Sequence, residues 1–179
     1  MTLSTDNVVH ELYQRADVRD QVAARFGDQV LSDEGLVDRP ALARLAFAGD
    51  DGRAWLEQLL WPLVGERIAA WRSVSEQREP APRALVVEVP LLFESGSDHG
   101  FDATIAVIAD EQTRERRAAE RGHAAIAERS ARQLSQQEKS RRATYTVVND
   151  GTREQLAAGL SAILESLARD QPQRRHQSA

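Results

Sequence analysis

Carboxylates and arginines hold most of the chemistry this sequence offers. Glu88 stands near the end of an apolar run, Val86-Val87-Glu88-Val89-Pro90-Leu91-Leu92-Phe93-Glu94. A carboxylate at the end of a buried strand can hold Mg²⁺, directly or through water, beside a bound phosphate. The alternative is a single polar residue at a bend. Residues 114–142 carry eight arginines and Lys139 against Glu115, Glu120, Glu128 and Glu138. Arg114, Arg117 and Arg121 are spaced to share one helix face. Arg117 and Arg121 are an i,i+4 like-charge pair, which costs a few tenths of a kcal/mol, roughly, in an isolated helix. An anionic ligand turns that repulsion into attraction, and guanidinium forks suit phosphate. The alternative is a solvated face neutralised by its own glutamates. Asn149-Asp150-Gly151-Thr152 reads as a turn opening a helix, where free backbone N–H groups are presented. Asp6 stands before the first helix, either as its cap or as a base.

Other reactive groups are scarce. There is no cysteine, which excludes disulfides, thiol nucleophiles, zinc ribbons and iron–sulfur clusters. His10, His99, His123 and His176 are scattered without metal-ligand spacing. Lys139 is the single lysine, so any lysine-dependent step has one candidate. The net charge of −5 argues against a constitutive nucleic-acid binder.

These residues need elements to position them. Residues 6–26 predict one helix, capped by Thr5 or Asp6 and ended by Gly27, with Val8, Leu12 and Val22 among its apolar positions. A loop follows at 28–39, then a short helix with Pro40 in its first turn. A longer helix runs from Asp50 to about Val74, where Pro62 should kink or restart it. Trp55, Trp61 and Trp71 on that helix are expected in packing rather than in a stacking platform. After a polar linker at 75–83, three short apolar runs read as strands: 84–89, 104–109 and 144–148. Their near-continuous hydrophobicity predicts parallel strands buried on both faces. Helices are expected at 111–121, about 124–138 and 152–169, with a disordered tail at 170–179. The β, α, β, α, α, β, α order gives an α/β fold, with ligands beyond the carboxyl ends of the strands.

No apolar run approaches the ~20 residues of a membrane span. The first residues lack a basic segment followed by an apolar one, so no secretion signal is expected. With 179 residues and 41% hydrophobic content, one domain, or one with a small lobe, is expected, in the cytoplasm.

Taken in order, the segments resemble the dephospho-coenzyme A kinase family over about Ser4 to Leu167. Ser4-Thr5-Asp6 is similar to its Asp-Ala-Asp segment, and Val37-Asp38-Arg39-Pro40-Ala41-Leu42 to its "DR..L" stretch. Leu56-Glu57 with Pro62-Leu63-Val64 resembles "LE.I.HP.V", and Glu88–Glu94 resembles "D-[IV]-PLLFE". Arg117, Arg121, Gln133, Glu138-Lys139 and Arg142 resemble its lid, and Val148–Gly151 its turn near the adenine. The resemblance implies a P-loop-kinase-like parallel sheet with a helical acceptor-binding insert and a lid. It implies transfer of the ATP γ-phosphate to the ribose 3′-hydroxyl of dephospho-CoA, the last step to coenzyme A, with ATP and Mg²⁺. Asp6, Arg117 and Arg121 are then catalytic, and Glu88 meets the metal. Asn149, Gly151 and Arg142 meet the nucleotide. Asp38, Arg39, Pro90, Leu91, Leu92 and Glu94 meet the acceptor. The core would span 1–27 and 84–169 with its lid at 114–142, and the insert 28–74. The partners implied are ATP and dephospho-CoA, with no nucleic acid or membrane, acting on a monomer.

Four departures from the family stand out. Its first strand and G-x-x-x-x-G-K-[ST] loop belong upstream of Asp6, and no such motif occurs in the sequence. Ser4 replaces the first Asp, Trp61 the His before Pro, and Glu88 an Asp. Little turnover is therefore expected, with an N-terminally shortened kinase as the leading explanation. The alternatives are a non-catalytic CoA-binding or interaction module and another P-loop nucleoside or nucleotide kinase.

Overall fold

A computed structural model describes residues 1–46, 48–120 and 133–175. Arg121 and most of the helix expected at 124–138 lie outside these residues, as do Phe47, His123 and His176. The chain divides into two compact units, Met1–Pro90 and Leu91–Ala179.

The first unit is a strand pair backed by helices. β1 (Thr2–Ser4) pairs in parallel with β2 (Val86–Glu88), setting Ser4 opposite Glu88. α1 (Thr5–Leu12) follows β1 directly, then α2 (Ala16–Phe26), α3 (Arg39–Ala46) and α4 (Asp50–Glu76). Their apolar positions, with Val30 between α2 and α3, meet in one cluster of Val8, Leu12, Val18, Val22, Val30, Leu42, Ala46, Leu56 and Leu60. The helices of the 28–74 insert therefore share a core with α1 and α2 rather than forming a lobe with a core of their own. Phe26 meets Trp55 edge to face at 5.7 Å, joining α2 to α4, whereas Trp61 is 47% exposed.

Three expectations about these helices change. The helix over 6–26 is broken: Arg15 is extended (ψ 134°), and its guanidinium forks onto Asp17 in the first turn of α2 at 2.7 and 3.0 Å. Val8, Leu12, Val18 and Val22 are buried in this broken arrangement, and their spacing also fits one straight helix, so periodicity alone did not reveal the break. The N-cap of α1 is Ser4, without a side-chain cap bond, and Asp6 lies in the first turn. α4 runs through Pro62 without restarting. One proline removes one N–H, a cost that burial of Leu56 and Leu60 can offset.

The second unit holds β3 (Ile105–Ile108) in parallel with β4 (Tyr145–Val148). α5 (Glu111–Glu120) follows β3, α6 (Gln136–Arg142) precedes β4, and α7 (Arg153–Arg175) follows it. Thr104 and Thr144 staple the start of the pair, each backbone N–H donating to the other's hydroxyl at 3.0 Å. Gly159 brings α7 onto β4: a Cβ there would lie 2.9 Å from Val147 Cγ2.

The strands are parallel, as their sequence predicts, but are not buried on both faces. Val86 is 41%, Val107 54% and Val148 58% exposed. Among the described residues each belongs to a two-stranded sheet. The register partner of Val107, Val147, is by contrast only 7% exposed. α6 starts at Gln136 rather than continuing a helix from 124, because Ser135 caps it by accepting from the Glu138 N–H. α7 continues to Arg175, into the segment expected as a tail. The helix thus runs through Pro172, which propensity alone disfavours in a helix interior; extending an existing helix costs far less than starting one.

Candidate active site

In the first unit the carboxyl ends of β1 and β2 bring two carboxylates to one rim. Ser4 and Glu88 are register partners, and Asp6 follows two residues after Ser4. Thr5 closes the junction: its hydroxyl donates to the Glu88 carbonyl at 3.0 Å. Thr5 is buried, whereas the Asp6 and Glu88 side chains are exposed. Two solvent-facing carboxylates at the end of a parallel pair can accept a proton and face a cation. No group of three or more His, Cys, Asp or Glu able to hold a metal occurs among the described residues.

Asp38 and Arg39 serve first in local structure. The Asp38 carboxylate caps α3, accepting from the Ala41 N–H at 3.0 Å. Arg39 is exposed, and its charge is felt by Tyr13, whose phenol is pushed up by burial and drawn partly back by that guanidinium. Pro90 is exposed just beyond β2.

In the second unit the turn after β4 is held by three partners. Arg117, from α5, donates to the Asn149 carbonyl at 2.6 Å and to the Gly151 carbonyl at 3.5 Å. The Asp110 N–H, just past β3, donates to the Asp150 carboxylate at 2.7 Å. Thr152 and Gln155 cap α7 reciprocally, at 2.8 and 3.3 Å. Asp110 in turn caps α5 through the Thr113 N–H, and the Thr113 amide and hydroxyl hold its carboxyl below the usual range. The structure thus brings Arg117, Asn149 and Gly151 together. Arg142 is turned to Glu138, one turn back on α6, at 2.9 Å.

Glu94 has a different setting from the exposed carboxylates. Its Oε1 accepts from Lys139 Nζ and from the Leu134 N–H, both at 2.9 Å, while Oε2 is buried without a partner among the described residues. Burial raises its pKa, but the bonds from Lys139, its own amide and Leu134 outweigh that and hold the carboxyl low. Leu91 and Leu92 are half-buried beside it in sequence. Gln136 was not singled out from sequence. Its amide exchanges two hydrogen bonds with the Ala109 backbone at the end of β3, at 2.7 and 2.8 Å. No sequence signal marks such a glutamine. The caps Ser135-x-x-Glu138 and Thr152-x-x-Gln155 do follow a readable spacing.

The model of the family described as "Dephospho-CoA kinase" matches residues 2–155. The chain belongs to the dephospho-CoA kinase family. A dephospho-CoA kinase of Symbiobacterium thermophilum is 34% identical over 164 residues, covering 89% of this chain and 68% of that protein. One from Moorella thermoacetica is 35% identical over 173 residues, covering 93% and 80%. Among solved structures, TT1252 from Thermus thermophilus superposes with a TM-score of 0.73 at 31% identity, over 93% of this chain and 84% of that one. A dephospho-CoA kinase from Campylobacter jejuni shares the fold, with a TM-score of 0.64 at 19% identity over 95% and 86%. The α/β architecture with parallel strands is thus that of the dephospho-CoA kinase family. No helix among the described residues is long and apolar enough to cross a membrane.

Proposed function

We propose that the chain acts in dephospho-CoA phosphorylation, transferring the γ-phosphoryl group of ATP to the ribose 3′-hydroxyl of dephospho-CoA. The observation that carries this is the pair Asp6 and Glu88 at the carboxyl ends of adjacent parallel strands, in a member of this family. In the transfer, the bond from the γ-phosphorus to its bridging oxygen breaks and a bond to the 3′-oxygen forms. In this reading Asp6 orients that hydroxyl and accepts its proton. Mg²⁺ is usually held by one or two carboxylates plus phosphate oxygens, and Glu88 would supply such a carboxylate. When bound, the ion neutralises charge on the phosphates.

On this reading Asn149 and Gly151 frame the nucleotide base, and Arg117 holds that frame while Arg121 and Arg142 brace phosphates. Arg142 must release Glu138 to do so. The helices over 28–74 bind the acceptor, with Arg39 offering charge to its phosphates. Pro90, Leu91 and Leu92 supply apolar contact, and Asp38 keeps α3 in place. The catalyst is taken as a monomer in the cytoplasm, a reducing compartment that a cysteine-free sequence suits.

The sequence contains no G-x-x-x-x-G-K-[ST], so these residues alone lack that cradle of amides for the phosphates. A second reading is a CoA-binding module without catalysis. One experiment separates the two. The purified chain is mixed with ATP, Mg²⁺ and dephospho-CoA; ADP and CoA are followed, and dephospho-CoA binding is measured by calorimetry. The kinase reading expects binding with slow CoA formation. Asp6→Asn should reduce that turnover about 10²-fold or more without weakening acceptor binding. Binding with no ADP formed supports the module. Absence of dephospho-CoA binding overturns both.

A further inference from the structure

We propose that the Glu94–Lys139 ion pair is a positioning clasp for the nucleotide side of the site, acting through α6 on the end of β3. The inference rests on the functional reading above in taking the turn at 149–151 as the base frame. Three observations carry it.

First, the pair is enclosed. The Glu94 and Lys139 side chains are only 14% and 22% exposed, and Glu94 Oε1 takes donors from both Lys139 Nζ and the Leu134 N–H. An enclosed ion pair is poor evidence for stability, because desolvation cancels much of the attraction. Its geometric consequence is more informative: it fixes α6, and the residue that leads into it, against the segment after β2.

Second, Lys139 and Gln136 are three residues apart on α6, and so share a face. Gln136 uses its whole amide on Ala109, donating to the carbonyl at 2.7 Å and accepting from the N–H at 2.8 Å. One short helix therefore carries both the ion pair and the double bond to the end of β3.

Third, the next residue after Ala109 ties into the base frame. The Asp110 N–H donates to Asp150 at 2.7 Å, and Arg117 reaches the carbonyls on either side of Asp150. The path from Glu94 to the turn is thus Lys139, α6, Gln136, Ala109, Asp110, Asp150. Glu94 and Lys139 act through other groups and are positioning residues. The buried Glu94 Oε2, without a partner among the described residues, leaves the carboxylate's orientation to the donors on Oε1.

The test uses the full chain with Lys139→Met, Lys139→Arg and the double variant Glu94→Leu with Lys139→Met. Three quantities are read: the urea midpoint, amide hydrogen exchange at Ala109 and Asp110, and ATP affinity by calorimetry. Lys139→Met should lower the midpoint, speed exchange at Ala109 and Asp110, and weaken ATP binding about tenfold, within the usual range for coupling between separate positions. The double variant removes both charges and should regain the midpoint. If the pair is a clasp, the double variant still exchanges fast at Ala109 and still binds ATP weakly. Lys139→Arg should preserve protection and affinity. The proposal is overturned if the double variant regains protection along with the midpoint, since the pair then serves stability alone. It is overturned equally if Lys139→Met leaves exchange at Ala109 unchanged. Should the wild-type chain bind no ATP, the reading of the base frame fails, and the Ala109 exchange of the double variant still decides the clasp.

Discussion

Arg117 shows how residue type and residue role separate. Its place in a basic helix suggests a phosphate brace, yet its guanidinium donates to the carbonyls of Asn149 and Gly151. Only arginine reaches two carbonyls with a rigid fork, and lysine offers a single compact ammonium. Arg117→Ala should destabilise the chain by about 1–2 kcal/mol, since carbonyls lose a charged donor. Arg117→Lys should recover less than half of that. Urea denaturation of the two variants checks it, and an unchanged midpoint would show that these bonds do not persist in solution. Glu94 gives a pH dependence. Its carboxyl is held below the ordinary glutamate range in the folded chain. A depressed folded pKa contributes stability above the unfolded pKa of about 4.3, and the contribution fades as pH falls through the folded value. The stability advantage of wild type over Glu94→Gln should thus be constant near neutral pH and shrink below about pH 4.3. Urea midpoints taken across the acid range test this, and an advantage that grows on acidification would contradict it.

At the scale of elements, two glycines of α4 distinguish packing from propensity. A Cβ on Gly52 would sit 2.9 Å from the Ala46 carbonyl oxygen and 3.2 Å from Phe26 Cε1. Backbone cannot step aside as a side-chain tip can, so Gly52→Ala should cost about 1–3 kcal/mol despite the better helix propensity of alanine. Gly65 has nothing within 4 Å of its Cβ position, so Gly65→Ala should gain up to about 1 kcal/mol. Equal responses in denaturation would refute the contact at Gly52. The same contrast explains what could be read in advance. The three later strands were legible because each is an apolar β-rich run, and α3 because Pro40 follows the capping Asp38. β1 was not legible: Thr2-Leu3-Ser4 is short and mostly polar, and only its register with Val86–Glu88 defines it. The rim of Asp6 and Glu88 was half legible, since both residues carried a signal but nothing joined positions 82 apart in sequence. The Gln136–Ala109 bonds carried no signal, because a glutamine's amide is directed by tertiary placement and not by its neighbours in sequence.

Taken over the whole molecule, buried apolar surface is unevenly shared between the two units. Among the described residues, the buried hydrophobics of Met1–Pro90 include Val8, Leu12, Val18, Val22, Val30, Leu42, Ala46, Leu56 and Leu60. Those of Leu91–Ala179 are Phe93, Ala106 and Val147. Burial is the main favourable term, at about 25 cal/mol per Å² of apolar surface. A two-stranded sheet is marginal in water unless packed against other elements. The strand pair β3–β4 should therefore open more readily than the helical core of the first unit. Amide hydrogen exchange should show faster exchange at Ile105–Ile108 and Tyr145–Val148 than at Val8, Leu12, Leu56 and Leu60. ATP should slow the first set much more than the second, because a ligand stabilises only the states that bind it. Exchange of all these amides at one common rate, unchanged by ATP, would mean that the units open together and that the second unit is not the nucleotide-responsive part. Selective protection of the second unit would instead tie ATP binding to the turn that Arg117 holds. It would also explain how a strand pair with so little buried surface is completed: its remaining order comes from the ligand.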